Sequence, residues 1–152
     1  MKPYYKYLEH TADVLFQAEA STLAELFNQC GLAVEETMIE LKRVLPKRKV
    51  LIKRKNKNIE YLLFDFLGDL IILKDSRQLL FSKFEIEIKE KIKKNKESKI
   101  EEKEYQLICR AYGEKLDVKK HEPKVDIKAI TMHMFEVKQT KNGWFAEVLV
   151  DI

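Results

Sequence analysis

The sequence predicts an α+β fold: two helices packed on one face of a mainly antiparallel β-sheet in a two-layer sandwich, within a single domain spanning residues 1–152. Three features lead there. Apolar residues recur at three and four through two segments, 21–38 and 58–78, and at two through most of the rest. The helical segments fall early, and the extended ones cluster after residue 79. Only four Gly and three Pro punctuate 152 residues, so connections are short.

In chain order, "YYKYLEH" (4–10) reads as a short aromatic strand, "HTADV" as a break, and "VLFQAEA" (14–20) as resumed extended structure. "STLAELFNQCGLAVEETM" is helical, with Leu23, Leu26, Phe27, Cys30 and Val34 on one face. Thr22 with Glu25 three residues later forms a capping box, and Ser21 competes for the cap. "KVLIKRK" (49–55) is a strand followed by an "NKN" turn. "NIEYLLFDFLGDLIILKDSRQ" is a second helix, and its broad face of Ile59, Leu62, Leu63, Phe66, Leu67, Leu70 and Ile71 requires extensive burial. "FEIEIKEKI" then turns Phe84, Ile86 and Ile88 one way, with Glu85, Glu87 and Lys89 the other. "KKNKESKIEEKE" reads as a charged hairpin connection, "YQLICRAYGE" as the returning strand and "KLDVKKHEPK" as a loop. "VDIKAITMHMFEVKQT" and "WFAEVLVDI" are strands joined by the turn signal "KNG".

The apolar content of 45% suffices for a core, and the net charge of +4 permits an anionic partner without demanding one. Cys30 and Cys109 fall on a helix and a strand, which predicts buried, reduced thiols and suits a cytoplasmic location. The N-terminus has no signal-peptide core, and no run approaches a membrane span. There is no dinucleotide fingerprint, phosphate-binding loop, nucleophile elbow or zinc-finger Cys pair.

Three polar stretches remain. In "EHTADV", Asp13 sits at the break between two strands, where an Asx turn is the plain structural role, and His10 and Thr11 suit a turn or sheet edge. At the other end, Asp151 stands beside Ile152, so a side-chain carboxylate and an α-carboxylate are adjacent. Should the first and last strands be neighbours, these acids would converge and repel unless a cation neutralised them, and hard carboxylate oxygens suit Ca²⁺ or Mg²⁺ over Zn²⁺. Spacing alone leaves that meeting open. In the third stretch, Lys119, Lys120, His121 and Lys124 form a basic loop and Lys128 lies inside the next strand, where it must reach solvent or pair with an anion. His133 falls opposite Lys128 by parity and would be satisfied by a neighbouring hydroxyl or carbonyl.

"YKYLEHTADV", "YGEKLDVKKHEPKVDIKAITMH" and "GWFAEVLVDI" together resemble the archease family, and "LAELF", "LLFDFLGDLI" and the final "DI" stand in family order. Met132 departs from the Tyr common there, and the Lys-rich insert around 90–104 is longer than usual. The resemblance implies a non-catalytic accessory factor of the RtcB-type RNA ligase, which joins RNA halves in tRNA splicing and RNA repair. Such a factor promotes the ligase's guanylylation by GTP, allows multiple turnover and broadens the usable nucleotides. The resemblance also implies a divalent cation, typically calcium with Mg²⁺ or Mn²⁺ as alternatives, held by Asp13, Asp151 and the α-carboxylate of Ile152. Lys128, Lys119, Lys120, His10 and His133 are the candidates to contact partner or nucleotide. An RNA-binding adaptor resting on "KRKNKN" and "KIKKNKESK", a chaperone-like module, and a small metal hydrolase built on Asp13, Asp151 and His10 or His133 are the competing readings.

Overall fold

A computed structural model describes residues 1–10 and 12–152. Its strands are β1 (Tyr4–Leu8), β2 (Asp13–Ala20), β3 (Arg48–Asn56), β4 (Leu79–Lys94), β5 (Glu101–Lys115), β6 (Ala129–Thr140) and β7 (Gly143–Asp151). The helices are α1 (Leu23–Met38), α2 (Ile59–Arg77) and the single turn α3 (Val118–His121), with a 3-10 turn at Leu41–Arg43. The α+β class is as expected, but the strands divide between two antiparallel sheets, ordered β1-β2-β7-β6 and β3-β5-β4. Both α1 and α2 touch both sheets, so the helices supply the apolar layer that joins them.

Each helix begins where its sequence offers a side-chain acceptor. Thr22 wins the cap of α1, its hydroxyl accepting from the Glu25 N–H at 3.2 Å, and Asn58 caps α2 from the Tyr61 N–H at 3.0 Å. Gln78 closes α2 in the left-handed region at φ 55° and the chain turns directly into β4. The predicted α2 face is buried at Leu62, Leu63, Phe66, Leu67, Leu70 and Ile71, and Phe66 stacks on Phe27 and meets Phe84 edge-on. Cys30 and Cys109 are free and fully buried; burial pushes both thiols up, Cys109 to about 12.

Four local expectations are corrected. The charged connection is far shorter than 93–104, because β4 runs to Lys94 and β5 starts at Glu101, forming one long hairpin whose arms cross-pair Lys and Glu. The 115–124 segment is not plain loop: Asp117 accepts from the Lys119 and Lys120 N–H groups and starts α3. Lys128 lies just before β6, not inside it. The pairing of β6 with β7 breaks between Thr131 and Glu136, and Met134 takes φ 59°, so parity counted across His133 does not hold.

A cation–carboxylate knot fastens α3. Glu114 is nearly buried at the end of β5 and accepts from His121 Nε2 at 2.7 Å, Lys120 Nζ at 2.6 Å and the Leu45 N–H at 3.1 Å. His121, fully buried, accepts from the Asp117 N–H through Nδ1, which leaves the proton on Nε2 facing Glu114. Burial alone would lift the Glu114 carboxyl, but these donors outweigh it and hold it at about 2. On α1, burial pushes the fully buried Glu35 carboxyl well above the ordinary carboxylate range, which disfavours its charged form in the core.

Candidate functional site: an acidic cleft at the end of the four-stranded sheet

The two ends of the chain become neighbours because β2 and β7 are the central pair of their sheet. Their register sets Asp13 directly opposite Asp151, the first residue of one strand against the last of the other. Directly opposed residues project from the same face with Cβ atoms about 5 Å apart, and like charges placed so are destabilising unless something neutralises them. Asp151 is also held from its other side, paired with Ala129 and accepting the Lys128 N–H at 2.8 Å through its carbonyl. Ala12, immediately before Asp13, sits at φ 69°, a left-handed conformation unusual for alanine, and this turn delivers the chain into β2.

A cleft of about 460 Å³ opens at this end of the sheet, lined by Asp13, Ile152, His10, Glu9, Glu36 and Lys124 among others. Its far wall is α1, which is tied to β1 by the Tyr5 hydroxyl donating to Glu36 at 2.9 Å and the Tyr7 hydroxyl donating to the Ala33 carbonyl at 2.8 Å. Burial lifts the Tyr7 hydroxyl to about 12, so it stays a donor at any physiological pH. Lys124 is brought in by its own N–H, which donates to the Met38 carbonyl at the C-terminal end of α1 at 2.8 Å.

Of the residues singled out in the sequence, the fold thus gathers His10, Asp13, Asp151 and Ile152 at one end of the sheet. Lys128 is exposed, and its main chain is bonded to Asp151. Lys120 is committed to Glu114, and Lys119 is exposed on α3. His133 is exposed at the irregular stretch of β6 and does not line the cleft. Thr11 lies outside the described residues. Glu36 and Glu9 were missed: Glu36 reads in sequence as one more polar position on α1, and only the packing of β1 reveals where it points.

Among the described residues, no group of three or more His, Cys, Asp or Glu side chains is disposed to hold a metal ion. Two opposed aspartates are an incomplete donor set, and Ile152, which follows Asp151, lines the same cleft as Asp13. Both aspartates are hard oxygen donors, which fits Ca²⁺, Mg²⁺ or Mn²⁺ and not a zinc site of thiolate and imidazole. Calcium takes about six to eight oxygens, so most of its coordination would come from water or from a partner.

The model of the Archease protein family matches residues 5–152. The chain belongs to the archease family. It is 33% identical over 149 residues to the protein archease of Pyrococcus abyssi, covering 97% of this chain and 98% of that one. It is 35% identical over 149 residues to the protein archease of Methanosarcina barkeri, covering 97% and 95% of the respective chains. In three dimensions it resembles the solution structure of Methanobacterium thermoautotrophicum protein 1598, with a TM-score of 0.72 at 23% identity over 97% of this chain and 98% of that one. A crystal structure from Thermotoga maritima, described as an archease and possible chaperone, matches with a TM-score of 0.54 at 18% identity over 97% and 96%. These two likenesses support the archease fold.

Proposed function

We propose that this archease is a non-catalytic activator of an RtcB-type RNA ligase in tRNA splicing and RNA repair, promoting guanylylation and multiple turnover and broadening nucleotide use. In this reading Asp13, Asp151 and the Ile152 α-carboxylate hold a divalent cation. The observation that supports it is the β2–β7 register, which opposes two aspartates at the sheet end where Ile152 also lines the cleft.

The chemistry asked of such a site is modest. Guanylylation is a phosphoryl transfer, governed by positioning and by neutralising charge on the transferring group. A hard dication at this edge would supply positive charge to a triphosphate or to carboxylates of the ligase. Within the chain, Asp13 and Asp151 are fixed by strand pairing on rigid elements, so their separation is set before any partner arrives. Lys128, anchored beside Asp151 by its main chain, extends an exposed ammonium towards phosphate or acidic ligase residues. His10, at the rim of the cleft, is placed for the same contact, with exposed Lys119 in a supporting role and Lys120 available only by giving up its bond to Glu114.

The test is a guanylylation assay with the purified cognate ligase and labelled GTP. Asp13→Ala, Asp151→Ala and a one-residue C-terminal extension should each abolish activation while leaving the far-UV spectrum unchanged. Full activation by all three would refute the proposal. A chaperone-like role, of the kind named for the Thermotoga structure, predicts instead that the chain suppresses aggregation of unrelated clients with no ligase present.

A further inference from the structure

The helices cover only one face of the β3-β5-β4 sheet, and the register shows what the other face carries. Along β3, the residues alternating with buried Ile52 are Lys49, Leu51, Lys53 and Lys55, and all four are exposed. Their partners on β5 are Tyr112, Arg110, Ile108 and Gln106, and beyond these on β4 stand Lys83, Glu85, Glu87 and Lys89. Lysines therefore line β3 and both ends of the β4 row, Glu85 and Glu87 sit at the middle of β4, and the central strand places Arg110 among aromatic, aliphatic and amide side chains.

The positive charge on this face is only partly compensated, by Glu85 and Glu87. Lys83 approaches Glu85 at 4.0 Å and lies 5.3 Å from the centroid of the Tyr112 ring. Among the described residues Lys49, Lys53, Lys55 and Lys89 have no carboxylate within ion-pair distance. Elsewhere the protein does pair its lysines, as the arms of the β4–β5 hairpin do through Lys94–Glu101 and Lys103–Glu90. A shallow concavity of about 510 Å³ opens over β3 and β5, lined by Lys53, Lys55, Gln106 and Ile108 together with Arg54 and Leu107.

We infer that this face is a binding surface for single-stranded RNA. Lysines two apart on a strand repeat at about 6.6–6.8 Å. That is of the order of the spacing between successive phosphates in an extended strand, so Lys53 and Lys55 can follow a backbone along the edge. The central strand offers Tyr112 and Ile108 as flat and apolar contacts for bases with the Arg110 cation between them, the combination by which sequence-tolerant single-strand sites work. An acidic polypeptide would satisfy the cations but would leave that centre unused. The choice of RNA as occupant rests on the ligase reading; the charge pattern does not depend on the metal site.

The experiment is fluorescence anisotropy of a labelled single-stranded RNA of mixed sequence with the full chain, without ligase, nucleotide or divalent metal. With about four phosphates neutralised, log affinity should fall with log salt at a slope of about −3, a loss of roughly 50-fold between about 50 and about 200 mM salt. Lys53→Glu with Lys55→Glu should weaken binding at least tenfold and make the slope shallower by about 1 to 2, since each phosphate contact contributes about 0.7. Lys6→Glu with Lys141→Glu, an equal charge change on other elements, should leave the affinity within about twofold. Lys53→Gln with Lys55→Gln replaces the reversal if that variant fails to fold. Absence of binding at low salt, equal weakening by the Lys6/Lys141 control, or displacement of the RNA by polyglutamate as readily as by unlabelled RNA would each overturn the inference. Asp13→Ala should bind RNA like the parent, so loss of ligase activation and loss of RNA affinity are read separately.

Discussion

Replacing Glu114 by alanine removes the acceptor on which β5, α3 and the turn before β3 converge. The substitution deletes bonds from His121, Lys120 and the Leu45 N–H, and strands the His121 Nε2–H in a fully buried position. Bonds to a charged group contribute about 1.5–3 kcal/mol each, and an orphaned buried donor costs about 1–3 kcal/mol. These are not additive, and about 3 kcal/mol is a fair sum, equivalent to a fall of roughly 6–12 °C in Tm for a chain of this size. The pH dependence gives an independent magnitude. The carboxyl is depressed from 4.5 to about 2, so its stabilisation is complete above 4.5 and is lost as pH falls through about 2. At about 1.4 kcal/mol per pH unit, reduced for residual solvent screening, that is again about 2–3 kcal/mol. Urea unfolding at stepped pH should therefore show a gap between parent and Glu114→Ala that is constant above about 5 and closes towards pH 2. A gap below about 0.5 kcal/mol at neutral pH, or one that does not narrow in acid, would refute the account of this knot.

Other parts of the fold give sharp expectations. Phe66→Ala, at a fully buried ring packed on Phe27 and Phe84, should cost about 3–5 kcal/mol in urea unfolding. Glu35→Leu should stabilise by about 1 kcal/mol or more, increasingly as pH rises above the unfolded carboxyl's 4.5, because burial penalises the ionised acid in the parent alone. Gly113→Ala should yield little folded protein on expression, since a Cβ there would lie 1.8 Å from the Leu80 carbonyl oxygen. Both thiols should be silent to a thiol reagent in the native state and titrate as two in denaturant, since Cys30 and Cys109 are fully buried.

What sequence reasoning could read was whatever is local and periodic. The Thr22 cap, the buried stripe of α2 and the alternation of Phe84, Ile86 and Ile88 follow from side chains within a few positions of one another. The division into two sheets did not, because strand alternation fixes which face is buried and not which strands pair. Parity failed at His133 because the irregularity beside Met134 changes the count without a Gly or Pro to announce it. Asp13 and Asp151 were visible as acids in apolar strands, but their meeting is a matter of register between residues at opposite ends of the chain. Glu36 and the Glu114–His121 pair depend on side chains arriving from separate elements, which no one-dimensional pattern encodes.

The most direct trial of the proposed metal site is calorimetric titration of calcium into the chelator-stripped protein, run beside Asp13→Asn and Asp151→Asn. Saturable uptake by the parent, absent from both amides, is the predicted outcome. A parent that takes up no calcium, or amides that bind it equally well, would contradict the claim that these opposed carboxylates exist to share a dication.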